Sequence, residues 1–153
     1  MSVNEEAAQA WKVALRYLGT RPRSCGEMIN TLTRHGFSQE ARDATIRKLE
    51  ELGYLNDAHF VEAWLHHRSG VQPRGSLWVK RELQAKKVPA DLVEKLAGPY
   101  LAEHEEEIAW AVTEKKWPRW ANDPRKRDKL ARFLHGRGFS SATIVRVLDR
   151  LHA

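Results

Sequence analysis

Arg74 and Arg81 stand seven residues apart, and Arg125 and Arg132 repeat that pair 51 residues further on. Seven residues is close to two helical turns, so each pair shares one face of a helix. A guanidinium is permanently charged and presents a planar fork of donors that matches carboxylates and phosphates. Two such pairs at one fixed offset suit a partner whose acidic groups recur along its length, such as a phosphate backbone or a helical filament. Lys129 falls on the same face as Arg125 and Arg132. Lys80, Lys86, Lys87, Lys126, Arg127 and Arg137 lie nearby and add to the positive field. These eleven residues form the candidate binding set. Any amphipathic helix has a solvated polar face; the repetition is what argues for more.

Catalytic chemistry finds little support. His66 and His67 are adjacent, so on a helix they diverge and make a poor ligand pair, and His59 with His66 lacks carboxylate companions. Cys25 sits near a helix start, where a thiolate is favoured, but no His and Asn accompany it and it reads as an ordinary thiol. Glu103, Glu105, Glu106 and Glu107 read as a charge run at a helix start, complementing the dipole or pairing with the basic half. There is no glycine-rich phosphate loop. The expectation is a binding protein, not an enzyme, with no metal site and no cofactor.

The elements that must position these residues are bounded by composition. The chain has 153 residues, 42% hydrophobic and 30% charged, enough for one domain or a few small helical units with packed cores. No apolar run is long enough to span a membrane. The start, MSVNEEAAQAW, is unlike a signal peptide, and the single cysteine excludes an internal disulfide. A cytoplasmic protein is expected. The net charge of +6 is uneven: residues 1–76 carry 10 Lys/Arg against 9 Asp/Glu, and residues 77–153 carry 16 against 11. A basic C-terminal half points to a polyanionic partner.

Helix formers dominate and apolar residues recur at three and four, so the fold class is all-α with no sheet. Ser24 and Glu27 form a capping box before Met28, Ile29 and Leu32. Ser38 caps a helix closed by Gly53, Asn56 or Asp57 opens the next, and Asp123-Pro124 opens another. Gly138-Phe139-Ser140 ends that helix and starts the last. Pro89 and Pro99 suit first-turn positions, which gives about nine short helices.

Pro22, Pro73 and Pro124 lie 51 residues apart, each followed by arginine: Arg23, Arg74, Arg125. The same offset aligns Met28, Val79 and Leu130, then Leu32, Leu83 and Leu134, then Phe37, Val88 and Phe139. Three copies of one helix with its lead-in and exit imply three tandem three-helix repeats, at 1–54, 55–98 and 99–153. One such unit buries too little alone, so neighbours must cover each other in an elongated, curved row. Residues 117–123 are an insertion in the third unit, its two tryptophans pinning a loop. Trp11, Trp64 and Trp110 are expected in the core, while Trp78 lies between an apolar and a basic face. No heptad seam is present, and a monomer is expected.

The segments ALRYL…RPRSCGEMINTLTRHGF, LEELGYLNDAHFVEAWLHHR, PRGSLWVKREL and KLARFLHGRGFSSATIVRVL together resemble the bacterial RecX regulators, from about Ala14 to Leu151. The most specific parts are Gly53-Tyr54-Leu55-Asn56-Asp57 with Phe60, the Gly75 to Leu83 helix, and Arg137-Gly138-Phe139-Ser140. The resemblance implies a modulator of the RecA recombinase that binds RecA and DNA, both single- and double-stranded, and lodges in the filament groove. It further implies inhibition of RecA ATPase, strand exchange and co-protease activity, and no catalytic residues. The chain departs from the family at Asn56-Asp57, where paired acids are usual, at the 117–123 insertion, and at Lys86-Lys87-Val88, where a different left-handed stop is expected. Alternatives are a free-standing helix-turn-helix-like DNA-binding protein and an adaptor that docks on an acidic protein without DNA.

Overall fold

The computed structural model describes residues 2–71 and 73–152, with side chains described for all of these except 68–71. Helices α1 (Val3–Leu18), α2 (Cys25–Arg34) and α3 (Gln39–Glu51) form the first unit. Helices α4 (Asp57–Val71), α5 (Ser76–Ala85) and the first half of α6 (Ala90–Lys116) form the second. The second half of α6, a 3-10 turn (Trp117–Trp120), α7 (Lys126–Gly136) and α8 (Ser141–Arg150) form the third. There is no strand among the described residues.

Local chemistry sets most helix starts. Ser24 and Glu27 make the reciprocal capping box, with Glu27 N–H donating to Ser24 Oγ at 3.1 Å and Ser24 N–H to Glu27 Oε1 at 3.2 Å. Ser38, Ser140 and Asn56 accept similarly at the starts of α3, α8 and α4. Carboxylates from neighbouring helices add a second layer: Ser38 N–H donates to Glu6, and Ser140 N–H to the buried Glu105 at 2.7 Å. At the matching place in the second unit stands Pro89, which has no N–H to satisfy.

Three separate cores follow from the repeated apolar stripe. Met28, Val79 and Leu130 are each no more than 2% exposed, and Leu32, Leu83 and Leu134 are fully buried. Met28 and Leu32 pack in the first core, Val79 and Leu83 in the second, and Leu130 and Leu134 in the third, so the molecule is a row of cores rather than one.

The sequence predicts a junction at Ala97-Gly98-Pro99, but α6 runs through it as one 27-residue helix. An interior proline removes a backbone donor and crowds the preceding turn, at about 3 kcal/mol. The helix survives because Val93 and Ala97 before the proline and Leu101 just after it are buried in the second core, and Ala109 and Val112 further on in the third. Eight α-helices result among the described residues, with α6 shared between two units. Pro89 takes the cap position of α6 rather than its first turn. Asp123 likewise acts one step early: its Oδ1 accepts Arg125 N–H at 2.8 Å in a turn, and α7 begins only at Lys126. Lys87 adopts φ 66°, the left-handed stop that Gly36 and Gly138 make in the other units, so the expected difference there is absent.

Two seams join the row, and they repeat. The turn 86–88 at the end of α5 matches 137–139 at the end of α7 by the same offset. Ser24 Oγ donates to the Lys86 carbonyl, and Gly75 N–H donates to the Arg137 carbonyl at 2.8 Å. Cys25 N–H donates to Asp57 Oδ1 at 2.9 Å across the first seam. At the second, Leu77 N–H reaches the Gly138 carbonyl at 3.1 Å and Trp78 Nε1 reaches the Gly136 carbonyl at 2.9 Å. A Cβ at Gly26 would overlap Lys87, and one at Gly75 would overlap Gly138 and Phe139. Both glycines are needed for close approach of backbone to backbone.

Candidate functional site

The structure separates the eleven candidate cations by what they touch. Arg81 and Arg132 are exposed, at equivalent places on α5 and α7, with no side-chain partner among the described residues. Arg125 and Lys87 are also exposed and unpaired through their side chains. Lys129 is exposed but forms an ion pair with Asp123. That pair, and Arg125 N–H, hold the Asp123 carboxyl below its usual value.

The remaining candidates are structurally engaged. Lys80 pairs with Glu94 at 2.8 Å. Lys86 lies 5.5 Å from the Trp64 ring centre, Lys126 5.2 Å from Trp117, and Arg137 4.9 Å from Phe133. Arg127 donates to the Leu148 carbonyl at 3.3 Å. Arg74, expected to point outward, is half-buried: its guanidinium stacks 4.8 Å from the Trp78 ring, and its Nε is buried without a hydrogen-bond partner. Trp78 in turn packs against Gly138 across the seam, so that ring serves packing. Arg74 thus turns inward because the seam supplies an aromatic face one helical turn away.

The other tryptophans also differ from expectation. Trp11, Trp64 and Trp110 are half-buried rather than core, each roofed by a cation: Lys48 at 4.2 Å, Lys86 at 5.5 Å and Arg150 at 4.2 Å. Trp117 and Trp120 do pin the insertion, Trp120 meeting Phe133 edge-on at 6.1 Å. The glutamate run lies mid-helix in α6, not at a helix start. Glu107 pairs with Arg150 at 2.8 Å, so the run serves the basic half as an internal partner. Burial, with Asp57 and Glu50 nearby, pushes the Cys25 thiol up to about 12, the reverse of a reactive thiolate. Among the described residues, no group of three His, Cys, Asp or Glu could hold a metal ion, and no helix is long and apolar enough to cross a membrane.

One basic cluster lies largely outside the candidate set, sharing only Lys87 with it. Arg21, Arg23 and Arg34 line a groove of about 480 Å³ with Lys87 of the next unit. Arg23, just before α2, and Arg34, at its end, are the part of it that the sequence shows. Asn30 stands where the later units keep Arg81 and Arg132, so the repeated arginine pair does not mark this unit.

Family models for the first, second and third three-helix domains of RecX match residues 10–49, 56–96 and 103–148. The chain belongs to the RecX family. It is 34% identical over 145 residues to "Regulatory protein RecX" of Chlorobium phaeobacteroides (strain BS1), covering 94% of this chain and 93% of that protein. It is 32% identical to the RecX of Prosthecochloris aestuarii, covering 97% of each. The crystal structure of RecX from Lactobacillus salivarius superposes with a TM-score of 0.90 over 97% of this chain and 98% of that one, at 22% identity. A second RecX crystal structure gives 0.78 at 19% identity, covering 96% and 73%. At such identities the structures show the fold alone. The RecX domain models meet inside α6, between residues 96 and 103, where this structure shows unbroken helix.

Proposed function

We propose that this RecX-family chain binds RecA and RecA–DNA filaments and inhibits ATP hydrolysis, strand exchange and co-protease activity by lying in the filament groove. Family membership supports a regulatory role. The observation that carries the finer reading is the unpaired, exposed Arg81 and Arg132 at one place on successive units. Cations at a fixed repeat distance match a filament whose acidic surface or phosphates also repeat, and several weak contacts along a row act together. Bridging adjacent protomers favours one filament state over another and so opposes the rearrangements of nucleotide turnover. Arg125, Lys129 and Arg132 extend the same contact at the third unit.

The test is a titration into RecA filaments formed on single-stranded DNA, following ATP hydrolysis, with binding to naked DNA measured at the same salt. Hydrolysis should fall at protein levels well below those that coat the DNA. No effect on RecA, together with tight binding to naked duplex, would contradict the reading and leave a free-standing DNA-binding protein.

A further inference from the structure

Gly36, Lys87 and Gly138 occupy one place in the three units and share the left-handed backbone, with φ of 83°, 66° and 84°. Two units place glycine there and the second places lysine, although a side chain disfavours that conformation. The Lys87 backbone is also fixed from outside, because Gly26 of α2 lies against it with no room for a Cβ. Lys87 thereby joins Arg21, Arg23 and Arg34 around the groove between the first two units.

Four cations meet one carboxylate there. Glu27 is taken by Arg21 at 2.8 Å. Arg23 and Arg34 are held by hydroxyls, at Thr20 Oγ1 (2.9 Å) and Thr31 Oγ1 (3.2 Å), which orient the forks without neutralising them. Arg23 Nε is buried with no hydrogen-bond partner, and burial with the neighbouring Arg21 pulls that guanidinium below its ordinary value. Arg23 also lies 5.2 Å from the Tyr17 ring centre, so the site holds positioned positive charge in excess of its one carboxylate. An acidic protein segment would also want an apolar anchor pocket, and this lining, apart from Ala85, is polar or charged. Guanidinium forks suit phosphate oxygens.

We propose that this groove is a phosphate-binding site that takes the backbone of single-stranded DNA, with Lys87 and Arg34 as contact residues. The inference rests on the nucleic-acid part of the proposed function and gives it a place in the fold; because its test uses DNA alone, its failure is distinguishable from a failure to act on RecA. The variants are Lys87→Gly and Arg34→Gln, and the measurement is anisotropy of a fluorescent oligothymidylate across a salt series, with melting followed alongside. Each variant should weaken binding and lower the slope of log affinity against log salt by about 0.7. Lys87→Gly should also melt at the same or a higher temperature, because glycine fits the backbone; a merely structural lysine would give no loss of binding. Competition by ATP or pyrophosphate at submillimolar levels would keep the phosphate chemistry and assign a free nucleotide as its source. Unchanged affinity and salt slope in both folded variants would overturn the site. So would variants that lose affinity for RecA while keeping DNA binding, which would indicate an acidic protein surface instead.

Discussion

Replacing Gly75 with alanine attacks the seam between the second and third units and nothing else. Gly75 is buried, and an added Cβ would overlap the Gly138 carbonyl and Phe139 N–H. Those atoms are backbone and cannot rotate away, so α5 must lift from the turn. Three hydrogen bonds cross this contact, from Gly75 N–H, Leu77 N–H and Trp78 Nε1. At about 0.5–1.5 kcal/mol net each, their loss amounts to about 1.5–4.5 kcal/mol. In a row of repeats that loss falls on the coupling between neighbours, so the third unit should unfold before the others. Gly136→Ala is the control: nothing lies within 4 Å of its Cβ and its φ is not positive, so it should stabilise by about 0.5–1 kcal/mol. Denaturant titration with amide exchange at Leu77 reads both effects. Gly75→Ala within about 0.5 kcal/mol of the parent, with Leu77 still protected, would refute the seam argument.

Other outcomes follow from the same structure. Glu27 is pushed up by burial, but Arg21 and Ser24 N–H outweigh this and leave it below its usual value. Its contribution is therefore complete above the unfolded carboxyl value of about 4.3 and is lost as pH falls through the lower folded value. Glu27→Gln should flatten stability against pH in that acid window and change nothing of its slope near neutrality; an unaltered acid limb would show the pairing to be inert. With its thiol pushed to about 12, Cys25 should resist alkylation at pH 8 in the folded protein and react readily in urea. Equal rates in the two conditions would contradict the burial.

The features legible in the sequence are those fixed by short-range chemistry. Ser24-Glu27, Ser38 and Ser140 announce helix starts because a cap needs only its own next three residues. The 51-residue offset exposes the buried triples because each unit solves the same packing problem. What escaped depends on contacts between units. Pro99 reads locally as a break, and only the two cores flanking α6 hold the helix through it. Arg74 reads as outward from helical phase, yet Trp78 and the seam draw it in. Lys87 looks like one more surface lysine until its φ and the approach of Gly26 are known. The basic groove was missed because its members come from two units, and a stripe read along one helix cannot show a groove between two.

The central claim rests on Arg81 and Arg132, and binding to preformed RecA filaments tests it most directly. The measurement compares the parent with the Arg81→Glu/Arg132→Glu double variant, after melting has shown both to be folded. An exposed ion pair is worth about 0.2–1 kcal/mol, and reversal adds repulsion of similar size, so the double change should weaken binding by roughly 3- to 1000-fold. The account predicts a loss within that range, accompanied by recovery of ATP hydrolysis. Undiminished binding by the folded double variant would contradict it.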